Sequence, residues 1–180
     1  MRKQDGSWQY SPSDLVTFME SEFASWMDRY ALEFPQRVTP DEDDEQLKIL
    51  QARGLEHEKA VLANALRDQG DVCEVPSLRD RGSLTLDAMR QGRRVIYQAA
   101  LSHENFSGYA DFLARIEGAS DLGDYHYEVW DAKLALSAKP YFIVQLCCYA
   151  EMLLAIQGRL PEEIQIVLGD GVSRRTISEH

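Results

Sequence analysis

Two stretches decide how this chain folds: Gly108-Tyr109-Ala110-Asp111-Phe112-Leu113 and Glu128-Val129-Trp130-Asp131-Ala132-Lys133-Leu134. Each lies in a run rich in β-formers, Phe106 to Ile116 and Tyr125 to Leu134. The turn-rich segment Glu117-Gly118-Ala119-Ser120-Asp121-Leu122-Gly123-Asp124 joins them, so the pattern predicts a hairpin. Asp111 and Asp131 are equally far from Asp121, so a symmetric hairpin sets them opposite each other, with Cβ atoms ~4.5–5.5 Å apart. Alternation puts Lys133 on the face of Asp131 and turns Trp130 and Ala132 away. Facing acids repel. An exposed hairpin would tolerate them as ordinary surface charges. Apolar surroundings like these instead call for a partner, and a hard divalent cation, magnesium or manganese, would reverse the sign of the interaction.

Outward from the hairpin, the chain reads as alternating helices and strands. Ser11-Pro12-Ser13-Asp14 is a capping box with proline at the first helical position. Leu15, Met19, Phe23, Trp26 and Tyr30 continue it as one amphipathic helix ending near Phe34-Pro35. The run Asp41-Glu42-Asp43-Asp44-Glu45 reads as a solvated loop and helix start, with a cation site as the alternative. A helix is predicted over Glu45 to Gln69, with Leu47, Leu50, Gly54, Val61 and Ala65 facing inward and Gly70 as its stop. Strands are predicted over Val72 to Val75 and Arg93 to Leu101. A helix opens at Pro140 and ends at Gly158, and a strand covers Ile164 to Leu168. The expected fold is α/β with a mixed sheet, in one domain over 1–180, with a helical segment at 11–35 and a core at about 45–169.

A formal charge of −11 excludes a protein that coats nucleic acid or anionic membrane by bulk electrostatics. Three cysteines, Cys73, Cys147 and Cys148, make no disulfide framework and suit a reducing compartment. The first residues lack the apolar core of a signal peptide. The apolar stretch Tyr141 to Ile156 contains Glu151 and falls short of the ~20 residues of a spanning helix. The expectation is a cytoplasmic protein without a membrane partner.

Three further residues have polar groups on apolar faces. Gln145 and Tyr149 are one turn apart on the helix that Pro140 opens, so they share a face. They would either satisfy backbone groups or point into a site. His57 falls on the inward stripe of the Glu45–Gln69 helix, as a core histidine or a ligand. Glu58 stands at the edge of that stripe.

Together these residues resemble the PD-(D/E)xK nuclease superfamily, and within it the RecB-like exonucleases. The resemblance runs from about Ser11 to Gly169. Ser11-Pro12-Ser13-Asp14-Leu15 is similar to the opening of the family's N-terminal helix, and Gly54-Leu55-Glu56-His57-Glu58 to its histidine motif. Val95-Ile96-Tyr97-Gln98-Ala99 with Gly108-Tyr109-Ala110-Asp111 resembles its second motif. Asp131-Ala132-Lys133 matches (D/E)xK, and Gln145-x-x-x-Tyr149 matches QxxxY.

The resemblance implies an α-β-β-β-α-β core with an additional N-terminal helix. It also implies a Mg²⁺- or Mn²⁺-dependent DNA nuclease, exonuclease or single-strand nuclease, acting in repair, recombination or defence. His57, Asp111, Asp131 and the backbone carbonyl of Ala132 would hold the metal. Lys133 would orient or help deprotonate water, and Gln145 and Tyr149 would position the strand. Arg79, Arg81, Arg90, Arg93 and Arg94 are candidate phosphate contacts, Arg93 and Arg94 foremost, against a solvated loop and strand edge. The cysteine spacing departs from relatives with an iron–sulfur cluster, so none is expected. Implied partners are single-stranded DNA or duplex ends, with a helicase or other nucleic-acid-processing module. The alternatives are a silent binding or scaffolding module of the same fold, or a metal-dependent RNA phosphodiesterase.

Overall fold

A computed structural model of the chain describes residues 1–39, 45–77, 79–169 and 171–177. The acidic residues at 41–44 lie outside the described residues.

The first element is a short hairpin of β1 (Arg2–Gln4) and β2 (Ser7–Gln9), absent from the sequence expectation. The capping box forms as expected: the Ser11 amide donates to Asp14 Oδ2 at 2.6 Å, and the Asp14 amide to Ser11 Oγ at 3.3 Å. The single N-terminal helix expected over 11–35 is two, α1 (Pro12–Glu20) and α2 (Glu22–Glu33). Ser21 is extended between them, and its side chain caps α2 by accepting from the Ala24 amide at 3.1 Å. A serine that caps a new helix outcompetes continuation of the old one. On α2 the aromatic stripe stacks on itself. Ring centroids are 6.1 Å apart for Phe23–Trp26, 5.1 Å for Trp26–Tyr30 and 4.9 Å for Tyr30–Phe34.

α3 (Glu45–Gln69) has the expected bounds, but its apolar stripe is not buried throughout. Leu47 and Leu50 are exposed, and packing against the sheet begins near Gly54, with His57, Glu58 and Val61 half-buried. After β3 (Val72–Glu74) comes α4 (Arg81–Arg90), also unexpected. Its inward residues are Thr85, Ala88 and Met89, a stripe too small and polar to stand out by hydropathy. Thr85 is buried because its hydroxyl accepts from the Ala100 amide at 2.9 Å and donates to the Arg81 carbonyl at 3.0 Å.

The remaining elements are β4 (Val95–His103), β5 (Phe106–Ser120), β6 (Gly123–Lys133), α5 (Pro140–Gln157), β7 (Glu163–Leu168) and β8 (Gly171–Thr176). They complete a six-stranded mixed sheet in the order β3-β4-β5-β6-β7-β8. The β3–β4 and β6–β7 pairs are parallel and the other three antiparallel. The fold is therefore α/β, with helices flanking the sheet. α4 and α5 bury Met89, Leu146, Met152 and Leu153 in one cluster with Ile96, Leu113, Tyr127 and Ile166 of the strands. By length and composition alone α5 is apolar enough to cross a membrane, and here it packs on the sheet.

Candidate active site

The β5–β6 ladder keeps the register expected from a symmetric hairpin, from Glu117↔Tyr125 to Phe112↔Trp130, and there it stops. Beyond that pair β5 stays with β4 (Ala110↔Ala99, Tyr109↔Ala100), while β6 stays with β7 (Asp131↔Ile166, Lys133↔Leu168). The sheet forks, and Asp111 and Asp131 are the first residues past the fork.

Asp111 replaces the lost ladder bond with its side chain: Oδ2 accepts from the Ala132 amide at 2.9 Å. Asp131 is only 4% exposed, and its carboxylate lies within hydrogen-bonding reach of Asp111. Burial, reinforced by the Asp131 charge and by Glu58, pushes the Asp111 carboxyl up to about 8; the Ala132 amide pulls the other way. Lys133 shares the Asp131 face, as alternation requires, with Nζ 2.8 Å from Oδ2. The ammonium is at charge-assisted contact distance, so this buried oxygen is held by Lys133 on one side while the carboxylate meets Asp111 on the other.

Glu58 is the acid that sequence reasoning underweighted. Gln98 Nε2 donates to its Oε1 at 2.6 Å, and its charge reaches Asp111. Burial and then the Glu58 carboxylate raise the Tyr97 phenol. Gln98 itself sits across from Asp111 in β4 with φ +56°, a left-handed conformation that is strained for a residue with a side chain. Arg81 holds it there: Nε and Nη2 donate to the Gln98 carbonyl at 3.2 and 2.9 Å, and Nη2 also to its Oε1 at 3.2 Å. His57, one residue round the helix from Glu58, reaches β7 at the register partner of Ala132. Its Nε2 lies 3.0 Å from the Val167 carbonyl, so that nitrogen must carry the proton and only Nδ1 remains for another partner. The signal for Glu58 was its spacing: four residues after Gly54 and three before Val61, it lies nearer the middle of the stripe than His57.

Gln145 and Tyr149 are both buried on α5. The Tyr149 hydroxyl donates to the Tyr109 carbonyl at 2.8 Å. Burial, then the charges of Asp131 and Asp111, raise its phenol, so it stays protonated. Gly108 makes this approach possible. A Cβ there would sit 2.8 Å from the Tyr149 hydroxyl and 2.7 Å from Pro12 Cδ.

Arg93 and Arg94 are not brought to the acids. They precede Val95, which pairs with Ala114, roughly 13–17 Å along the strand from the fork at ~3.3–3.4 Å per residue. Arg93 forms an ion pair with Asp71 at 3.0 Å, and the Arg94 amide donates to the same carboxylate at 3.2 Å. Arg81, from the same basic stretch, is the one that reaches the site.

Among the described residues no group of three or more His, Cys, Asp or Glu side chains converges tightly enough to hold a metal ion by itself. The acid pair nonetheless fits a hard cation. One carboxyl is held protonated by burial and its neighbour, and a cation in its proton's place would relieve the repulsion between the two. Compared with models of known protein families and with curated protein sequences, the chain matches none.

Proposed function

We propose that this chain is a metal-dependent nuclease of the PD-(D/E)xK superfamily, RecB-like in its motifs, hydrolysing phosphodiester bonds in DNA. One observation carries the reading: Asp111, Asp131 and Lys133 meet at the fork of the sheet, with two carboxyl groups in contact, Asp131 buried and the Lys133 ammonium 2.8 Å from its Oδ2. With β3 and α4 inserted after α3, the elements α3, β4, β5, β6, α5 and β7 follow the order of that superfamily's core, which supports the reading.

Asp111, Asp131 and the Ala132 carbonyl would hold Mg²⁺ or Mn²⁺, with Glu58 beside them in the role that the histidine motif implied for His57. When bound, the metal supplies Lewis-acid polarisation of the phosphate and a water of lowered pKa. The protein's own groups do the rest. Lys133 holds a positive charge against Asp131 and can orient the attacking water or offset negative charge as it develops. Tyr149, kept neutral, spends its O–H on the Tyr109 carbonyl and leaves its oxygen as an acceptor, and with Gln145 it orients the strand. Arg81 and Gln98 fix Glu58 near the pair. The setting is cytoplasmic, with a helicase or another nucleic-acid-processing module as partner.

The silent-module alternative draws on a specific observation, the absence of a converged three-ligand cluster among the described residues. Incubation of the protein with labelled single-stranded DNA and Mn²⁺, beside Lys133→Ala, separates the two. Cleavage by the wild type alone supports the nuclease. Equal inactivity, with no heat of Mn²⁺ binding in calorimetry, leaves the silent module.

A further inference from the structure

α2 carries an aromatic stripe that the fold leaves open. None of its residues is buried, and among the described residues it packs on α1 and on the 3₁₀ turn Pro35–Arg37. Along the stripe Phe23 is 70% exposed, Trp26 55% and Phe34 41%, with Tyr30 half-buried between them. A helix of 12 residues is marginal by itself and is normally held by burial of its apolar face. Here that face has only its own stacked rings for cover. At ~150–250 Å² per aromatic side chain, the open rings present roughly 300 Å² of contiguous apolar surface. Patches of this size, in one row, mark interaction sites.

The charge around the stripe selects what can cover it. Residues 20–45 hold nine acids against two arginines, so −7 of the chain's −11 lies in this segment. Both arginines are engaged: Arg29 pairs with Glu33 at 3.1 Å, and the Arg37 guanidinium lies 5.3 Å from the Phe34 ring centroid. By helical rotation Glu22 and Glu33 run along one edge of the stripe, with Met27 and Ala31 along the other. A second copy of this chain would bring the same acids against each other. An anionic bilayer draws in helices through lysines and arginines on the polar face, where α2 has acids instead. Nucleic acid is repelled for the same reason. An aromatic row edged by carboxylates is complemented by a helix with apolar residues on one face and basic residues beside them.

We infer that α2 is the docking face for a cationic amphipathic helix of another protein. That helix lies along Phe23, Trp26 and Tyr30 and sets its lysines or arginines against Glu22 and Glu33. The inference is independent of the nuclease reading, because it uses none of the residues at the fork.

The test uses a labelled synthetic helix of leucine and lysine in amphipathic order. Its controls are a scrambled peptide of the same composition and a leucine–glutamate helix, all followed by fluorescence anisotropy. Phe23, Trp26, Glu22 and Glu33 are exposed, so Phe23→Ser with Trp26→Ser, and Glu22→Gln with Glu33→Gln, leave the fold standing, and melting curves verify this. The wild type binds the amphipathic lysine peptide at least ~10-fold more tightly than the scrambled one, and the serine variant loses that margin. The glutamine variant binds more weakly than the wild type and with a shallower salt dependence. Equal binding of the amphipathic and scrambled peptides, or a margin that survives the serine variant, overturns the inference. Tighter binding of the leucine–glutamate helix overturns it as well. So does a wild-type dimer in sedimentation that the serine variant dissolves, because the occupant is then a second copy. Binding to phosphatidylserine vesicles that the serine variant abolishes would make the face a membrane contact instead.

Discussion

The β5–β6 hairpin has two ends, and the chain uses buried polarity differently at them. At the closed end it ties the strands to the helices around them, although both ring nitrogens of His126 and Arg115 Nε are buried without a hydrogen-bond partner. Gln157, fully buried, accepts from the Tyr127 amide at 2.8 Å and donates to the carbonyls of Tyr127 and Arg159 at 3.1 and 3.0 Å. The Tyr125 hydroxyl donates to the Met89 carbonyl at 2.9 Å, and the Arg159 guanidinium to the Ala119 carbonyl at 2.9 Å. At the open end the ladder fails, two acids meet with one ammonium between them and the solvent, and Gln98 is strained. One end uses buried polarity to fix the hairpin. The other keeps it in reserve, as a binding or catalytic site does.

If this contrast is right, substitutions at the two ends should have opposite signs. Asp111→Asn keeps an acceptor for the Ala132 amide and removes a buried carboxyl that must either take up a proton or face a second charge. We expect Mn²⁺-dependent cleavage to fall by ~10²–10³-fold or more. Melting of the metal-free protein should rise by a few degrees, at ~2–4 °C per kcal/mol for a chain of this size. A variant that melts lower and still cleaves would break the comparison.

Gln157→Ala should do the reverse, because it strands one amide and two carbonyls in the core at ~1–3 kcal/mol each. Chemical denaturation should show a loss of about 3–5 kcal/mol, while the folded fraction cleaves normally. Gly108→Ala forces Tyr149 and Pro12 apart from β5 and should cost about 1–3 kcal/mol. It should also weaken cleavage, because the Tyr149–Tyr109 bond is strained with it.

The smallest effect expected is in pH dependence, and it too differs between the ends. Asp111 is raised from 3.8 to about 8 in the folded protein, so the folded state holds a proton that the unfolded state has lost. Its contribution is most favourable below about pH 4 and is lost as pH rises toward 8. At the closed end, burial, and then Arg159, lower the buried His126 below its ordinary 6.5. Its contribution is present above that value and is lost as pH falls through the folded pKa. Melting temperatures of Asp111→Asn and His126→Asn across pH 4 to 9, without divalent ions, should flatten opposite limbs of the profile. Added Mn²⁺ should flatten the alkaline limb of the wild type as well.

Much of this was legible from residue spacing. Alternation along Asp131 and Lys133 and symmetry about Asp121 placed the acids and the lysine, because strand period and hairpin register are rigid rules. The capping box at Ser11 and the helix from Pro140 to Gly158 followed from equally local chemistry. What escaped depends on tertiary partners. α4 is held by Thr85 bonding to a neighbouring strand, which hydropathy does not register. The break at Ser21 is a competition between two caps. The choice between His57 and Glu58 depends on where α3 crosses the sheet, a matter of ~100° of rotation that sequence leaves open. Arg93 and Arg94 were grouped with Arg81 by sequence proximity, although a helix and part of a strand separate them in space.

The fork has one more consequence. Asp111 rides with the β4–β5 half of the sheet and Asp131 with the β6–β7 half, and the two halves share no ladder beyond Phe112 and Trp130. The separation of the carboxylates is therefore not a property of either strand. It is set by the opening angle between two half-sheets, as the gap of a calliper is set by its hinge. Whatever twists one half against the other, such as a module docked on an outer edge, would tune the spacing without touching either acid.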